Sequence, residues 1–335
     1  MRINSFFAIY TQTNVLRMLF LGFSAGLPLL LIFGTLSFWL REAGHELSTI
    51  GFFSWIGLVY AFKWAWSPLV DQMPIPVLTS KLGRRRAWLL VSQIMVGVGL
   101  IGIATTDPSQ GLSVLIGFSI LTATASATQD IALDAFRIES GLIEEQGAMA
   151  ATYQMGYRIA MITSSAGALL LASWFDYTEN VYEPEPWMYA YLCMSALMLI
   201  GITTTILSKE PVVHAYGGSH TLDTQSRAQR LTGWLKNAAI MPFLDFIRRY
   251  RLQAIVLLAM ISLYRISDIV MGVMSNPFYL DMGFSKQEIA TVSKIFGVIM
   301  TILGALVGGS LIKHLGIFKI LFIGAALSSL TNLLF

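Results

Sequence analysis

Nine apolar stretches punctuate the chain, at roughly 15–40, 48–70, 87–105, 112–136, 148–172, 187–207, 252–280, 288–312 and 317–335, and polar runs separate them. A hydrocarbon core about 30 Å thick takes about 20 helical residues to cross, whereas barrel strands alternate over about 10. The pattern therefore predicts an all-α polytopic membrane protein. The first stretch follows a polar N-terminus, is too long for a signal peptide and has no small-residue cleavage site after it. It is expected to remain as a span.

Charge falls unevenly on the connections. Lys81, Arg84, Arg85 and Arg86 follow the second stretch, Arg137 the fourth, a run from Lys209 to Arg251 the sixth, and Lys313 and Lys319 the eighth. The loop after the fifth carries Asp176, Glu179, Glu183 and Glu185 with no Lys or Arg. Basic loops face the cytoplasm, so the N-terminus and the 208–251 segment are predicted there. That segment divides six spans from three: a six-helix bundle over 1–207, a linker with an interfacial helix over 208–251, and a three-span partial bundle over 252–335. An internal echo crosses the divide. Phe38-Trp39-Leu40 with Gly44, Ile50 and Gly57 matches Phe278-Tyr279-Leu280 with Gly283, Ile289 and Gly297. Two parallel six-helix repeats would account for it, and three further spans would then follow Phe335.

Composition agrees with a membrane chain: 55% of residues are hydrophobic and 12% charged, against about 25% charged in soluble domains. The net charge of +3 is spread over short loops beside the spans, which is a topological signal and not a nucleic-acid surface. The single cysteine, Cys193, offers no intramolecular disulfide and no Cys-based metal site. All four histidines lie in loops or at span ends, and no HExxH, GxSxG or P-loop spacing occurs. A cofactor, a metal and enzyme chemistry are not expected.

Ionisable groups inside the spans carry the chemical signal. Gln129, Asp130 and Asp134 interrupt the fourth, and at helical pitch they share a broad stripe with Ser119, Thr122, Ser126 and Arg137. A carboxylate in hydrocarbon costs roughly 2.5–3.5 kcal/mol on insertion scales, so the stripe should face a bundle interior. Lys63 in the second span, Arg158 in the fifth, Arg265 with Asp268 in the seventh and Lys294 in the eighth are further cases. Helix rise sets Lys63 at the level of Asp130. One reading makes these groups buried pairs, Asp130 with Lys63 or Arg158 and Asp71 with Arg137. The other gives Gln129, Asp130, Arg158, Arg265 and Asp268 a polar cavity that binds solute while an acid exchanges a proton. Tyr153 and Tyr157, one turn apart beside Arg158, either stack on sugar rings or anchor at the interface. Gly22, Gly26 and Pro28 either bend the first span or pack it.

The strings SATQDIALDAFR (126–137), FKWAWSPLVD (62–71), LGRRRAW (82–88), YQMGYRIA (153–160) and YRISD (264–268) resemble the AmpG-type muropeptide permease family of the major facilitator superfamily. The resemblance covers essentially the whole chain. It implies the major facilitator fold, here a six-helix bundle plus the first three helices of an incomplete second one, and an inner-membrane permease importing N-acetylglucosaminyl-1,6-anhydro-N-acetylmuramyl peptides on the proton gradient. Carried across, Gly26 and Gln129 line the path and Asp130 leads the coupling acids, ahead of Asp268 and Asp134. Tyr157, Arg158 and Arg265 are the other substrate-binding candidates, and Lys63, Asp71 and Arg137 the gating charges. The superfamily's Asp and Gly-Arg-Arg signature is stretched by QMPIPVLTSKL between Asp71 and Gly83. The expected partners are a disaccharide peptide and membrane lipid, with no nucleic acid and a monomeric chain. An acetyl-CoA permease, a non-transporting sensor or scaffold, and an intramembrane hydrolase are the alternatives.

Overall fold

The computed structural model describes residues 8–176, 182–211, 241–251 and 297–332, with isolated positions between 253 and 282. Every regular element among them is helical. Among the described residues five helices are long and apolar enough to cross a membrane: Thr13–Glu42, Arg84–Ala104, Leu112–Ser140, Gln146–Phe175 and Glu185–Leu207, here spans 1, 3, 4, 5 and 6. The chain forms two compact units, Met1–His214 with Ala305–His314, and Ala215–Gly304 with Leu315–Phe335.

In the first unit, span 1 lies against span 5 so closely that only glycine fits. A Cβ on Gly22 would overlap the Tyr153 carbonyl, one on Gly26 would stand 2.5 Å from the Tyr157 carbonyl, and one on Gly156 would overlap that of Leu19. Small residues let helix backbones meet where lipid gives no hydrophobic push. Spans 3 and 4 cross in the same way, with Gly99 against Thr122 and Gly102 against Phe118. Larger side chains fill the remainder, and Leu27, Leu31, Leu36, Trp39, Leu100 and Tyr191 are wholly buried in one cluster.

Two spans carry wide turns in register. After Pro28, span 1 passes through a π-helical turn at Leu31–Thr35, and span 5 has another at Thr163–Gly167. The Thr35 hydroxyl donates to the Ser164 carbonyl at 2.7 Å, and the Tyr191 hydroxyl donates to the Leu31 carbonyl at 2.7 Å. Side-chain hydroxyls thus serve two carbonyls of the widened turns in place of water.

The predicted second span is broken. Helices Leu47–Phe53, Gly57–Phe62 and Ser67–Gln72 are joined by 3-10 segments Ser54–Ile56 and Lys63–Ala65. A short helix, Leu78–Leu82, then turns the chain into span 3 through Gly83, whose φ of +89° suits glycine.

At the acidic end of the unit, Trp39 and Trp187 stack with centroids 5.9 Å apart. Trp39 donates to the Tyr182 hydroxyl, which donates to Asp107 at 2.9 Å. Burial pushes the Asp107 carboxyl up, but donors from the Ser109 hydroxyl and backbone, Tyr182 and Gln110 outweigh it and hold the group below its usual value. At the basic end, 305–314 joins this unit: Tyr10 donates to the Leu306 carbonyl at 2.5 Å, and a Cβ on Gly309 would stand 2.8 Å from the Gly147 carbonyl.

The second unit contributes helices Met241–Tyr250 and Ile317–Asn332. The first of these is the described part of the predicted interfacial helix. Its last turn carries Arg248 and Arg249.

Candidate transport site

Span 4 delivers the intramembrane acid. Asp130 stands ten residues before the helix end at Ser140, about 15 Å along the axis. Its side chain is 17% exposed and its Oδ2 lies 3.5 Å from Lys63 Nζ. Its Oδ1 is shielded and has no hydrogen-bond partner among the described residues. The sequence had left open whether Lys63 or Arg158 pairs with Asp130. The structure gives the acid to Lys63.

Lys63 opens a 3-10 segment within span 2, between Phe62 (φ −91°, ψ 3°) and Trp66 (φ −110°, ψ 0°). A tight stretch in mid-helix often marks a hinge. The Trp66 indole donates to Thr128 Oγ1 at 3.2 Å and holds the break against span 4 two residues from the acid. Tyr60, Tyr153 and Tyr157 lie within electrostatic reach of Asp130. The rings of Tyr153 and Tyr157 are 6.0 Å apart and tilted by 45°. Arg158 follows on the same turn, its Nε shielded and without an acceptor among the described residues. Spans 2, 4 and 5 thus bring an ion pair and three phenols together, with Arg158 adjoining Tyr157 on span 5.

The other predicted residues are placed differently. Gly26 is buried in the contact with span 5, and Gln129 is fully buried and donates to Ser24 Oγ at 3.0 Å. Gly26 thus backs Tyr157 directly, whereas Gln129 turns away from the Asp130 face. The reason is helical pitch, which turns Gln129 about 100° from its neighbour. The polar stripe also splits. Ser119 and Thr122 donate to the Leu115 and Phe118 carbonyls of their own helix, at 2.8 and 2.7 Å, and Thr122 packs against Gly99 of span 3. Short hydroxyls satisfied four residues back do not require a path. Asp134, at the other end, is 60% exposed and pairs with Arg137 at 3.7 Å. Arg265, Asp268 and Lys294 lie outside the described residues.

The expected Asp71 to Arg137 pair is corrected. Asp71 accepts from Arg85 Nη1 at 2.7 Å, and the Arg85 fork also grips Glu139 through Nε at 3.0 Å and Nη2 at 2.6 Å. The QMPIPVLTSKL segment folds back as a turn and short helix, so the stretched signature still closes, while Arg137 is held by its own helix neighbour. Glu139 and Glu210 are structural charges the sequence reading missed. Glu210 accepts from the backbone N–H groups of Arg85 and Arg86 at 2.8 and 3.0 Å and caps the start of span 3. Arg86 donates to the Thr205 and Ile206 carbonyls and caps the end of span 6. Among the described residues no group of three His, Cys, Asp or Glu side chains is placed to hold a metal ion.

The all-helical fold with its apolar spans is that of a polytopic membrane protein, and the profile of the Major Facilitator Superfamily, a transporter superfamily, matches residues 11–335, so the chain belongs to that superfamily. Its relatives set it within the AmpG-type branch. The putative transporter AmpG 4 of Rickettsia conorii is 34% identical over 335 residues, covering all of this chain and 75% of the relative. That of Rickettsia felis is 33% identical over 328 residues, 98% of this chain and 74% of the relative. The anhydromuropeptide permease of Escherichia coli is 34% identical over 331 residues, 98% of this chain and 61% of the relative.

Proposed function

We propose that the protein imports anhydromuropeptides across the bacterial inner membrane by alternating access, coupled to protons through Asp130. One observation carries the coupling: Asp130, deep in span 4, has one oxygen on Lys63 and the other shielded and without a partner among the described residues, at a break in span 2. An acid paired with a cation at such a break changes its neighbour when the break flexes, and with it its hold on a proton. The substrate class follows from the name of the Escherichia coli relative and suits the donors and rings of Tyr153, Tyr157 and Arg158. The orientation expected from loop charge places the Arg84 to Arg86 end in the cytoplasm.

The test is uptake of labelled anhydromuropeptide into vesicles bearing the full-length protein, with and without a proton gradient. Wild type accumulates substrate only with the gradient. Asp130→Asn loses accumulation but keeps counterflow exchange, because it removes the proton step and leaves the binding surface. Gradient-driven accumulation by Asp130→Asn at the wild-type rate would remove this residue from coupling.

A further inference from the structure

Behind the Asp130 face, spans 1, 3, 4 and 6 meet at amides and hydroxyls that the transport site does not use. Gln129 Nε2 donates to Ser24 Oγ at 3.0 Å, and Thr205 Oγ1 donates to Gln93 Oε1 at 2.9 Å. Gly201 brings the two pairs together: the place of its missing Cβ is filled by the Ser24 side chain and lies 3.0 Å from Gln93 Nε2. Ser24, Gln93 and Gln129 are all 0% exposed. Among the described residues each pair nevertheless leaves one amide atom without a partner, a donor at Gln93 Nε2 and an acceptor at Gln129 Oε1. Turning either amide over would exchange nitrogen for oxygen and leave one atom equally bare.

Two unsatisfied groups of opposite kind beside one serine, in a medium without bulk water, are costly, and they are what a single bridging molecule satisfies. We propose that this seam is a binding site for one internal water molecule, which accepts from Gln93 Nε2 and donates to Gln129 Oε1, with Ser24 Oγ as third partner. Buried water needs two to four polar partners, and the seam supplies three. The water fastens spans 1 and 4 to spans 3 and 6. Gln129 and Asp130 are consecutive, so whatever fixes the first aims the second toward Lys63. That positioning role rests on the proposed function, whereas the water site stands without it.

Met198 provides a reporter. Its Sδ lies 3.9 Å from Ser24 Oγ, and both Met198 and Met194 are 1% exposed. Brief X-ray radiolysis of the full-length protein generates hydroxyl radicals from bound as well as bulk water and converts nearby methionine to sulfoxide. Wild-type Met198 should be oxidised several-fold faster than Met194, and the Gln93→Leu/Gln129→Leu double variant should bring the two rates together. Equal, low rates in wild type would overturn the proposal. A high-resolution density map decides it without any variant. An ordered peak within hydrogen-bond distance of both bare atoms supports the site, and direct contact between the two amides with no peak overturns it. None of these readouts depends on transport.

Discussion

Arg85 shows what one side chain contributes when its partners come from two other elements. Its guanidinium is 7% exposed, while Asp71 and Glu139 are 46% and 27% exposed. Removing the cation strands two partly wet carboxylates, so the loss falls below the 3–5 kcal/mol of a fully buried pair. Arg85→Ala should destabilise the protein by on the order of 2 kcal/mol, and Arg85→Lys by less, since an ammonium keeps the charge but not the two-armed grip on Glu139. Thermal unfolding in detergent checks both, and equal midpoints for wild type and Arg85→Ala would show the cluster to be idle. Residues like these also mark what a sequence discloses. The Lys63 and Asp130 pair was legible because helix rise alone sets the two at one level. Asp71 with Arg85 was not, because the answer depends on how an eleven-residue insertion folds back. Glu210 acts 125 positions from Arg85, and no local pattern announces a cap supplied from that distance.

At the level of the element, departures from ideal helix are the informative part. Pro28 and the apolar runs predicted spans and a bend, but no residue type marks a π turn, and the pair at Leu31–Thr35 and Thr163–Gly167 becomes visible only where Thr35 reaches Ser164. The break in span 2 was equally hidden, since hydropathy counts residues and not hydrogen bonds. The glycines can be sorted by what a methyl would strike. At Gly156 it would meet the Leu19 carbonyl and come 2.9 Å from the Phe23 nitrogen, both backbone atoms that cannot turn aside. At Gly117 on span 4 nothing lies within 4 Å. Gly156→Ala should therefore cost about 1–3 kcal/mol through forced separation of spans 1 and 5. Gly117→Ala should be neutral or gain up to about 1 kcal/mol of helix propensity. Unfolding midpoints of the two variants test this, and a matching loss at both positions would mean that close approach is not what the glycines provide.

For the whole molecule, alternating access requires that some contact seen here part during the cycle. The contact at the basic end of the first unit is the one to test: Tyr10 reaches the Leu306 carbonyl, Gly147 and Ala151 meet Gly309 flush, and Ile312 packs on Gly147. A Cβ at position 309 would stand 3.1 Å from that of Ala151, and a disulfide sets its Cβ atoms at about 3.5–4.5 Å, so a shift of about half an ångström lets cysteines there join. Cys193 is exposed and is first replaced by Ala to leave one reactive pair. Ala151→Cys/Gly309→Cys in that background should cross-link on mild oxidation, lose uptake as the cross-linked fraction rises, and regain it on reduction. Substrate binding to the locked protein should persist at whichever face stays open, so binding retained while uptake stops separates a trapped carrier from a damaged one. Uptake that continues at full rate with the bond formed would mean that this end does not open, and that solute takes another route past Asp130.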